Sequence, residues 1–263
     1  MMLMRPFPDT SGNSPVRSGA VPVTSRGGVP RRSFETARRK EDAVAQLVAI
    51  EGADGAGKAT TARTLAEAVT ARGQSATVIA FPQYGNTVGG VTIGRFLAGE
   101  LPVPVTPHAA AVLYALDRFE WRDAILEAAA SHDVVIFDRY IASNMAYQGA
   151  KLPESDALAI MEWIAALETG QFALPAPTLS IYLDTPWEMA RAMILQKAQR
   201  SYTDRSFDEH EADAALQLRV RSNYESMAAA GLLGPWRVVR ASADGVMRAP
   251  SEIAAEIVGL LPF

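Results

Sequence analysis

The feature that most constrains the fold is the glycine-rich segment GADGAGK, residues 52–58. An apolar run, residues 47–50, precedes it, and apolar residues at helical spacing follow it, at Ala62, Leu65, Ala66 and Val69. In such a strand–turn–helix unit, backbone N–H groups converge on an anion, the helix dipole favours negative charge and the lysine reaches the terminal phosphates. The segment therefore predicts a phosphate-binding loop.

One position of the loop departs from the strict motif, which has Ser or Thr after the lysine. This chain has Ala59, followed by Thr60 and Thr61. Mg²⁺ requires oxygen ligands, and Thr60 is rotated by about 100° along the helix, so it cannot simply replace the missing hydroxyl. Asp54 could supply a carboxylate directly or through water; its alternative interpretation is a helix-entry cap.

Composition excludes several classes of site. The 263 residues include no cysteine, which excludes disulfides, thiolate zinc sites and thiol nucleophiles, and the three histidines are too scattered to predict a zinc cluster. No run approaches the ~20 apolar residues of a membrane span. Residues 1–40 carry a net charge of +6, and the other 223 residues carry about −10. The acidic charge of this larger part argues against a nucleic-acid-binding surface. We expect a cytoplasmic protein with neither a membrane nor a nucleic-acid partner.

The chain divides by composition near residue 42. Residues 1–42 are basic, rich in Pro, Ser, Gly and Arg, and show no hydrophobic period, so we predict that they are disordered. Arg31-Arg32 is not read as a twin-arginine signal, because no apolar segment follows it. A transit peptide, an unstructured tail and a start codon assigned too early remain open. Residues 43–263 are predicted to form one domain.

Strand-like and helix-like segments alternate in this domain, which predicts an α/β fold in three layers: a five-stranded parallel sheet with helices on both faces. The predicted strands are residues 46–51, 76–81, 133–138, 179–184 and 237–241. Beyond the helix after the loop, helical patterns cover about residues 106–130, 156–168, 187–199, 208–230 and 251–260.

Polar residues follow another predicted strand at Asp138-Arg139-Tyr140. Ligands of open α/β sheets lie outside the carboxyl ends of the strands. Asp138 is thus placed to contact a metal or its waters, and Arg139 to bind a phosphate with its guanidinium fork. An Asp–Arg ion pair that caps the sheet is the alternative.

Three further segments have both a functional and a purely structural interpretation. Residues 81–85, FPQYG, could wall a flat ligand or simply close the core. Tyr114 and Arg118 share a helix face, so they could stack on a base and pair with its edge, or be a half-buried tyrosine beside a surface arginine. Lys197, Arg200 and Arg205 could close over phosphates or form a solvated charge run.

Together these segments resemble the thymidylate kinase family over about residues 46–241, in the same order. The likeness rests on the loop with its internal aspartate, the Phe-Pro-x-Tyr-Gly turn, Leu-Asp-Arg in the middle helix, and Asp-Arg-Tyr followed by Ser143-Asn144 and Tyr147. The alanine after the lysine is similar to the actinobacterial branch. The resemblance implies the P-loop NTPase fold, an enzyme that phosphorylates dTMP with ATP, a Mg²⁺ cofactor and a homodimer.

The family's site residues carry over onto matching positions. Catalytic roles are implied for Lys58, Arg139, Asp54 and Arg205, and metal ligation for Asp54 and Glu211. ATP would lie on Gly52, Ala53, Asp54, Gly55, Ala56, Gly57, Lys58, Ala59 and Thr60. dTMP would contact Phe81, Tyr84, Tyr114, Arg118, Arg139, Asn144, Tyr147 and Asp208. Tyr114 would stack on thymine, Arg118 would pair with its carbonyl, and Tyr147 would crowd the 2′ position of the sugar.

The predicted reaction transfers the γ-phosphoryl group of ATP to a phosphate oxygen of dTMP, which gives dTDP and ADP. A phosphate monoester has a second pKa near ~6 and needs no general base at neutral pH. Two alternatives stay open. Ala59 could mark a nucleotide-binding module that no longer turns over. A deoxynucleoside kinase would instead activate a neutral hydroxyl and would need a base.

Overall fold

The computed structural model describes residues 44–200 and 214–263. The predicted disordered segment and the residues Arg205, Asp208 and Glu211 lie outside these ranges. The boundary at residue 42 therefore stays a prediction.

Five parallel strands form the centre of the fold, in the order β2-β3-β1-β4-β5. Their bounds are β1 Gln46–Glu51, β2 Ala76–Ala80, β3 Val134–Asp138, β4 Leu179–Asp184 and β5 Trp236–Arg240. The predicted five-stranded parallel sheet is confirmed, with strand ends shifted by at most one residue. A short antiparallel hairpin, β6 Ser242–Ala243 with β7 Val246–Met247, follows the sheet and was not predicted.

Nine α-helices connect the strands within the described residues. Their bounds are α1 Lys58–Ala71, α2 Val88–Leu97, α3 Pro107–Glu120, α4 Arg122–Ser131, α5 Ile141–Ala150, α6 Glu154–Ala165, α7 Trp187–Arg200, α8 Ala214–Ala230 and α9 Pro250–Val258. A π-helical turn, Ala166–Gln171, continues α6.

The helices of the structure differ from the prediction in three places. The single helix predicted over residues 106–130 is wrong, because the chain breaks at Trp121 between α3 and α4. Helices α2 and α5 were not predicted. Their segments are rich in glycine or small residues, such as Gly89, Gly90 and Gly149, which lowers the helix propensity that a single sequence reveals.

The sheet separates two apolar cores because successive side chains of a strand point to opposite faces. Leu47 and Ala49 of β1 face a core shared with helices α3 to α6 and α8, whereas Val48 and Ile50 face α1 and α9. Completely buried side chains such as Leu65 of α1 each contribute about 1.5–3 kcal/mol through the removal of apolar surface from water. The result is the three-layer arrangement that the alternating pattern predicted.

The register of the sheet brings the predicted polar segments together. Asp138 of β3 lies level with Ile50 of β1 and with Ala80 of β2. The phosphate loop, the 81–85 turn and Asp138-Arg139 therefore leave the sheet at the same edge, side by side.

Candidate active site

The phosphate loop, residues 52–57, connects β1 to α1. Gly57 precedes the helix at φ 87°, a conformation that favours glycine, and no side chain caps the first turn of α1. A Cβ on Gly55 would lie 2.2 Å from the carbonyl oxygen of Ala190, so the loop can approach α7 only with glycine there. The uncapped N–H groups and the positive end of the helix dipole favour an anion at this turn.

Lys58 supplies the positive side chain of the loop. Its side chain is folded back, and Nζ donates a hydrogen bond of 2.7 Å to the carbonyl oxygen of Ala53. Only 6% of the residue is exposed. Burial, together with the nearby Arg139 guanidinium, lowers the pKa of Lys58 to about 8. The ammonium form is therefore still present at neutral pH.

Asp54, at the bend of the loop, is held by two partners. One carboxylate oxygen pairs with Nη2 of Arg139, and the other accepts a hydrogen bond of 2.9 Å from Nε2 of Gln217 in α8. Burial opposes ionisation, but Arg139 and Lys58 outweigh it and lower the pKa of Asp54 to about 2. The carboxylate is thus ionised throughout the physiological range.

Arg139 lies between Asp54 of the phosphate loop and Tyr147 of α5, which is on the other side of the cleft. Its backbone has φ 67° and its N–H donates to the carbonyl oxygen of Ile50 at 3.1 Å. Its guanidinium lies 5.3 Å from the centre of the Tyr147 ring. The Tyr147 hydroxyl makes no hydrogen bond of ordinary geometry within the described part of the chain. Burial, reinforced by Asp54 nearby, raises the pKa of Tyr147.

The residues present fit a magnesium ion that takes most of its ligands from phosphates and water. Residues 44–200 and 214–263 contain no group of three or more His, Cys, Asp or Glu side chains that could enclose a metal. They do contain the ionised carboxylate of Asp54 beside the anion site, and Mg²⁺ typically takes one or two such carboxylates together with phosphates. Glu211, the other predicted ligand, lies outside the described residues.

The loop and the opposite wall enclose a cleft of about 720 Å³. Within the described ranges, most of the predicted site residues line it: Asp54, Gly55, Gly57, Lys58, Ala59, Thr60, Phe81, Tyr84, Tyr114, Arg118, Arg139, Asn144 and Tyr147. Gly52, Ala53 and Ala56 are buried within the loop and do not line the cleft. Tyr84 is 52% exposed at the rim.

A buried polar network forms the wall opposite the loop. Arg118 is 1% exposed, and its Nε and Nη2 donate to the two carboxylate oxygens of Glu168 at 2.5 and 2.6 Å. Nδ2 of Asn144 donates at 2.9 Å both to Glu168 and to the carbonyl oxygen of Ala111. Oδ1 of Asn144 is buried and accepts no hydrogen bond from the described residues. Arg118 is thus a buried side chain, and its interpretation as a surface arginine is wrong.

Three buried carboxylates at the site were missed from the sequence: Glu51, Asp117 and Glu168. Glu51 ends β1 and accepts hydrogen bonds from the backbone N–H of Tyr140, from Ser143 and from Tyr224 at 2.9, 2.6 and 3.0 Å. Burial raises its pKa.

Asp117 supports the turn after β2, because its carboxylate accepts hydrogen bonds from Thr87 and, at 3.0 Å, from the backbone N–H of Gln83. Burial raises the pKa of Asp117 as well. For two of the three missed carboxylates, the sequence carries one signal of burial, an acidic residue beside apolar ones. Glu51 follows the apolar residues 47–50, and Glu168 follows Leu167.

Known proteins are similar to this chain over most of its length. The family model "Thymidylate kinase" matches residues 50–234. A thymidylate kinase from Mycobacterium tuberculosis (strain ATCC 25618 / H37Rv) is 38% identical over 212 residues, which cover 80% of this chain and 96% of that protein. A probable thymidylate kinase from Pyrococcus abyssi is 30% identical over 219 residues, 82% of this chain and 95% of that protein.

The fold is also found among solved structures. A thymidylate kinase from Candida albicans superposes with a TM-score of 0.62 at 21% identity, over 82% of this chain and 91% of that chain. At this identity, the likeness supports the fold alone.

Proposed function

The chain belongs to the thymidylate kinase family, and we propose that its cleft carries out the family's reaction, transfer of the γ-phosphoryl group of ATP to dTMP. The mycobacterial relative agrees with the predicted likeness to the actinobacterial branch. The observation that carries the proposal is the position of Arg139, which contacts the phosphate loop through Asp54 and the opposite wall through Tyr147. One guanidinium is therefore within reach of both substrates.

The donor is proposed to lie with its phosphates on the loop. The uncapped N–H groups of α1 and the ammonium of Lys58 supply complementary charge there. In the ligand-free protein, Nζ of Lys58 donates to the carbonyl oxygen of Ala53. With ATP bound, a phosphate oxygen is proposed to replace that carbonyl as the acceptor, so that Lys58 stays in contact with the γ-phosphoryl group as it is transferred.

The nucleobase of the phosphate-accepting nucleotide is proposed to lie against Arg118 and Asn144. Both Nδ2 hydrogens of Asn144 are in use, whereas its Oδ1 has no partner among the described residues, and we propose Oδ1 as the acceptor for the base. Nη1 of Arg118 is the guanidinium nitrogen that the two bonds to Glu168 leave for the ligand. The acceptor Oδ1 of Asn144 matches the N3–H donor of thymine, and the donor Nη1 of Arg118 matches its O4 acceptor. Cytosine has an acceptor at N3 and a donor at N4, which is the opposite pattern. Tyr114 lines the cleft, and we propose that it stacks on the base.

The chemical step needs positioning more than proton transfer. The attacking oxygen belongs to a phosphate monoester with a second pKa near ~6, so it is already deprotonated at neutral pH. The obstacle is the approach of two polyanions. Arg139 is proposed to leave Asp54 for the acceptor phosphate while Lys58 holds the γ-phosphate, which brings the two groups into line. Arg205 remains the proposed third cation.

Magnesium is the proposed cofactor, with Asp54 as its protein ligand and Glu211 as a second. Held there, the metal would supply positive charge that offsets the negative charge of the phosphates. Asp54→Asn is expected to lower kcat by about 10²-fold and to change ATP affinity much less, since the loop N–H groups and Lys58 remain. Steady-state rates across Mg²⁺ concentrations, beside ATP titrations, measure both. An unchanged kcat would remove Asp54 from the metal site.

We further propose that the enzyme works in the cytoplasm as a homodimer that pairs through α3. Val112 and Phe119 lie on one face of α3 and are 42% and 44% exposed. Trp163, 40% exposed, packs against His108 on the same face at a ring distance of 5.4 Å. A second copy would cover this apolar surface. Sedimentation of the wild type and of Val112→Glu tests this, and a wild-type monomer at micromolar concentration would overturn it. No helix of the described residues is long and apolar enough to cross a membrane.

An acceptor screen tests the function as a whole. Coupled ADP release is measured with dTMP, dUMP, UMP, dCMP, AMP and thymidine. We expect dTMP to be preferred, and UMP to be poor because Tyr147 crowds the 2′ position. Comparable rates for UMP would remove that role of Tyr147. Product from thymidine rather than dTMP would favour the deoxynucleoside kinase, and no dTDP at all would favour the inactive nucleotide-binding module.

A further inference from the structure

Glu168 is a buried carboxylate to which neither the motifs nor the reaction assign a role. It lies in the π-helical turn Ala166–Gln171 and is 0% exposed. Its backbone carbonyl accepts a hydrogen bond of 3.0 Å from the N–H of Leu174, which anchors the turn to the segment before β4. Single π-helical turns are rare and occur frequently at functional sites.

The side chain of Glu168 joins two residues from different helices. Arg118 of α3 binds both of its oxygens at 2.5 and 2.6 Å, and Asn144 of α5 donates to Oε1 at 2.9 Å. These are the two side chains proposed to contact the base. A buried ion pair is seldom more stable than an apolar pair of the same size, so stability is a weak reason for a carboxylate here.

The hydrogen bonds determine which atoms the two side chains present to the cleft. The Glu168 carboxylate, both of whose oxygens accept from Arg118, and the carbonyl oxygen of Ala111 offer only acceptors, so the Asn144 amide turns Nδ2 toward them and Oδ1 away. Oδ1 is indeed buried and unpaired within the described residues. The same carboxylate occupies Nε and Nη2 of Arg118, which leaves Nη1 for a ligand.

We propose that Glu168 is a positioning residue that sets the donor–acceptor pattern of the base pocket, and thereby selects the imide edge of thymine or uracil over the amino edge of cytosine. This inference rests on the proposed function. Glu168 acts through Arg118 and Asn144 and need not contact the substrate itself. Without its acceptor-only character, the Asn144 amide can turn over and present a donor.

The test is Glu168→Gln, which keeps size and shape but offers an NH₂ group in place of one oxygen. We expect KM for dTMP to rise about tenfold with kcat changed by less than about threefold, because a well-matched hydrogen-bond pair to the base edge is lost. The ratio of kcat/KM for dTMP over dCMP should fall about tenfold, while KM for ATP stays unchanged. Glu162→Gln, on the exposed face of α6, is the matched control and should change none of these.

A merely structural role would lower the melting temperature and both activities together and leave the dTMP/dCMP ratio as it was. That result would overturn the inference. If Glu168→Gln does not fold, Glu168→Asp decides, because the shorter carboxylate keeps its charge but cannot reach both partners, and it too should lower the ratio. A wild type that gives no dTDP would instead defeat the proposed function. If the wild type prefers dTMP over dCMP and the Glu168 variants show the same preference, only the role of Glu168 is overturned.

Discussion

The phosphate loop and the proposed base pocket, formed by Arg118, Asn144 and Glu168, face each other across one cleft, yet they are built differently. The loop is a contiguous stretch of backbone, in which glycine conformation and the start of α1 create the binding groups and Lys58 is the main side chain used. The pocket is made of side chains from α3, α5 and a π-helical turn, joined by the buried carboxylate of Glu168. We therefore expect changes in the loop to affect turnover, and changes in the pocket to affect folding and specificity together.

Arg118→Met should have the largest effect and break the pocket. It leaves Glu168 as a buried carboxylate without its cation, which typically costs about 3–5 kcal/mol. Urea unfolding measures the loss. The matched control is Arg95→Met, because Arg95 pairs with Glu100 at 3.8 Å with both side chains more than half exposed, and such pairs contribute about 0–1 kcal/mol.

The double variant Arg118→Met/Glu168→Gln should recover part of that stability, since no unpaired charge remains. If it is no more stable than Arg118→Met alone, the loss comes from packing, and the pocket does not depend on the ion pair.

Lys58→Ala, at the phosphate loop, should have the next largest effect. Removal of one preorganised positive group from a phosphoryl-transfer site lowers kcat by about 10²–10³-fold. The dTMP/dCMP preference should persist in the residual activity, because the pocket does not contact Lys58. Arg63→Ala, on the exposed face of α1, is the control. A Lys58→Ala enzyme with altered base preference would show that the two walls are coupled.

The phosphate loop was predictable from one segment of sequence, whereas the contacts that build the proposed base pocket were not, for a physical reason. Phosphate binding by backbone needs glycines and a lysine at set spacing, so Gly55, Gly57 and Lys58 reveal it within one segment. The pocket needs a carboxylate about fifty positions from Arg118 along the chain, and periodicity carries no information on such a contact. The family resemblance supplied Arg118 and Asn144, but Glu168 appeared only with the tertiary structure. The strands were predictable because buried parallel strands are short apolar runs, whereas the glycine-rich α2 was missed.

The binding of ATP should depend on pH through Lys58. In the ligand-free protein, burial and Arg139 lower its pKa to about 8. Phosphate favours the ammonium form, so ATP affinity should be constant below pH 8 and fall above it, by up to about tenfold per pH unit. Isothermal titration between pH 7 and 9.5 measures the profile, and Lys58→Met should flatten it. A wild-type profile as flat as that of the variant would contradict the lowered pKa.

The smallest effect is expected at Ala59, where the loop departs from the strict motif. Ala59 is exposed on the first turn of α1 and lines the cleft, so Ala59→Ser adds the missing hydroxyl without disturbing the core. If Asp54 is the carboxylate that holds magnesium, kcat and the Mg²⁺ requirement should change by less than about threefold, as for an exposed substitution that removes no contact. Asp54→Asn should remain equally impaired in the Ala59→Ser background. If the new hydroxyl instead restores the activity of Asp54→Asn, a hydroxyl after Lys58 can hold the metal in this loop, as in the strict motif. Asp54 would then not be required as the metal ligand.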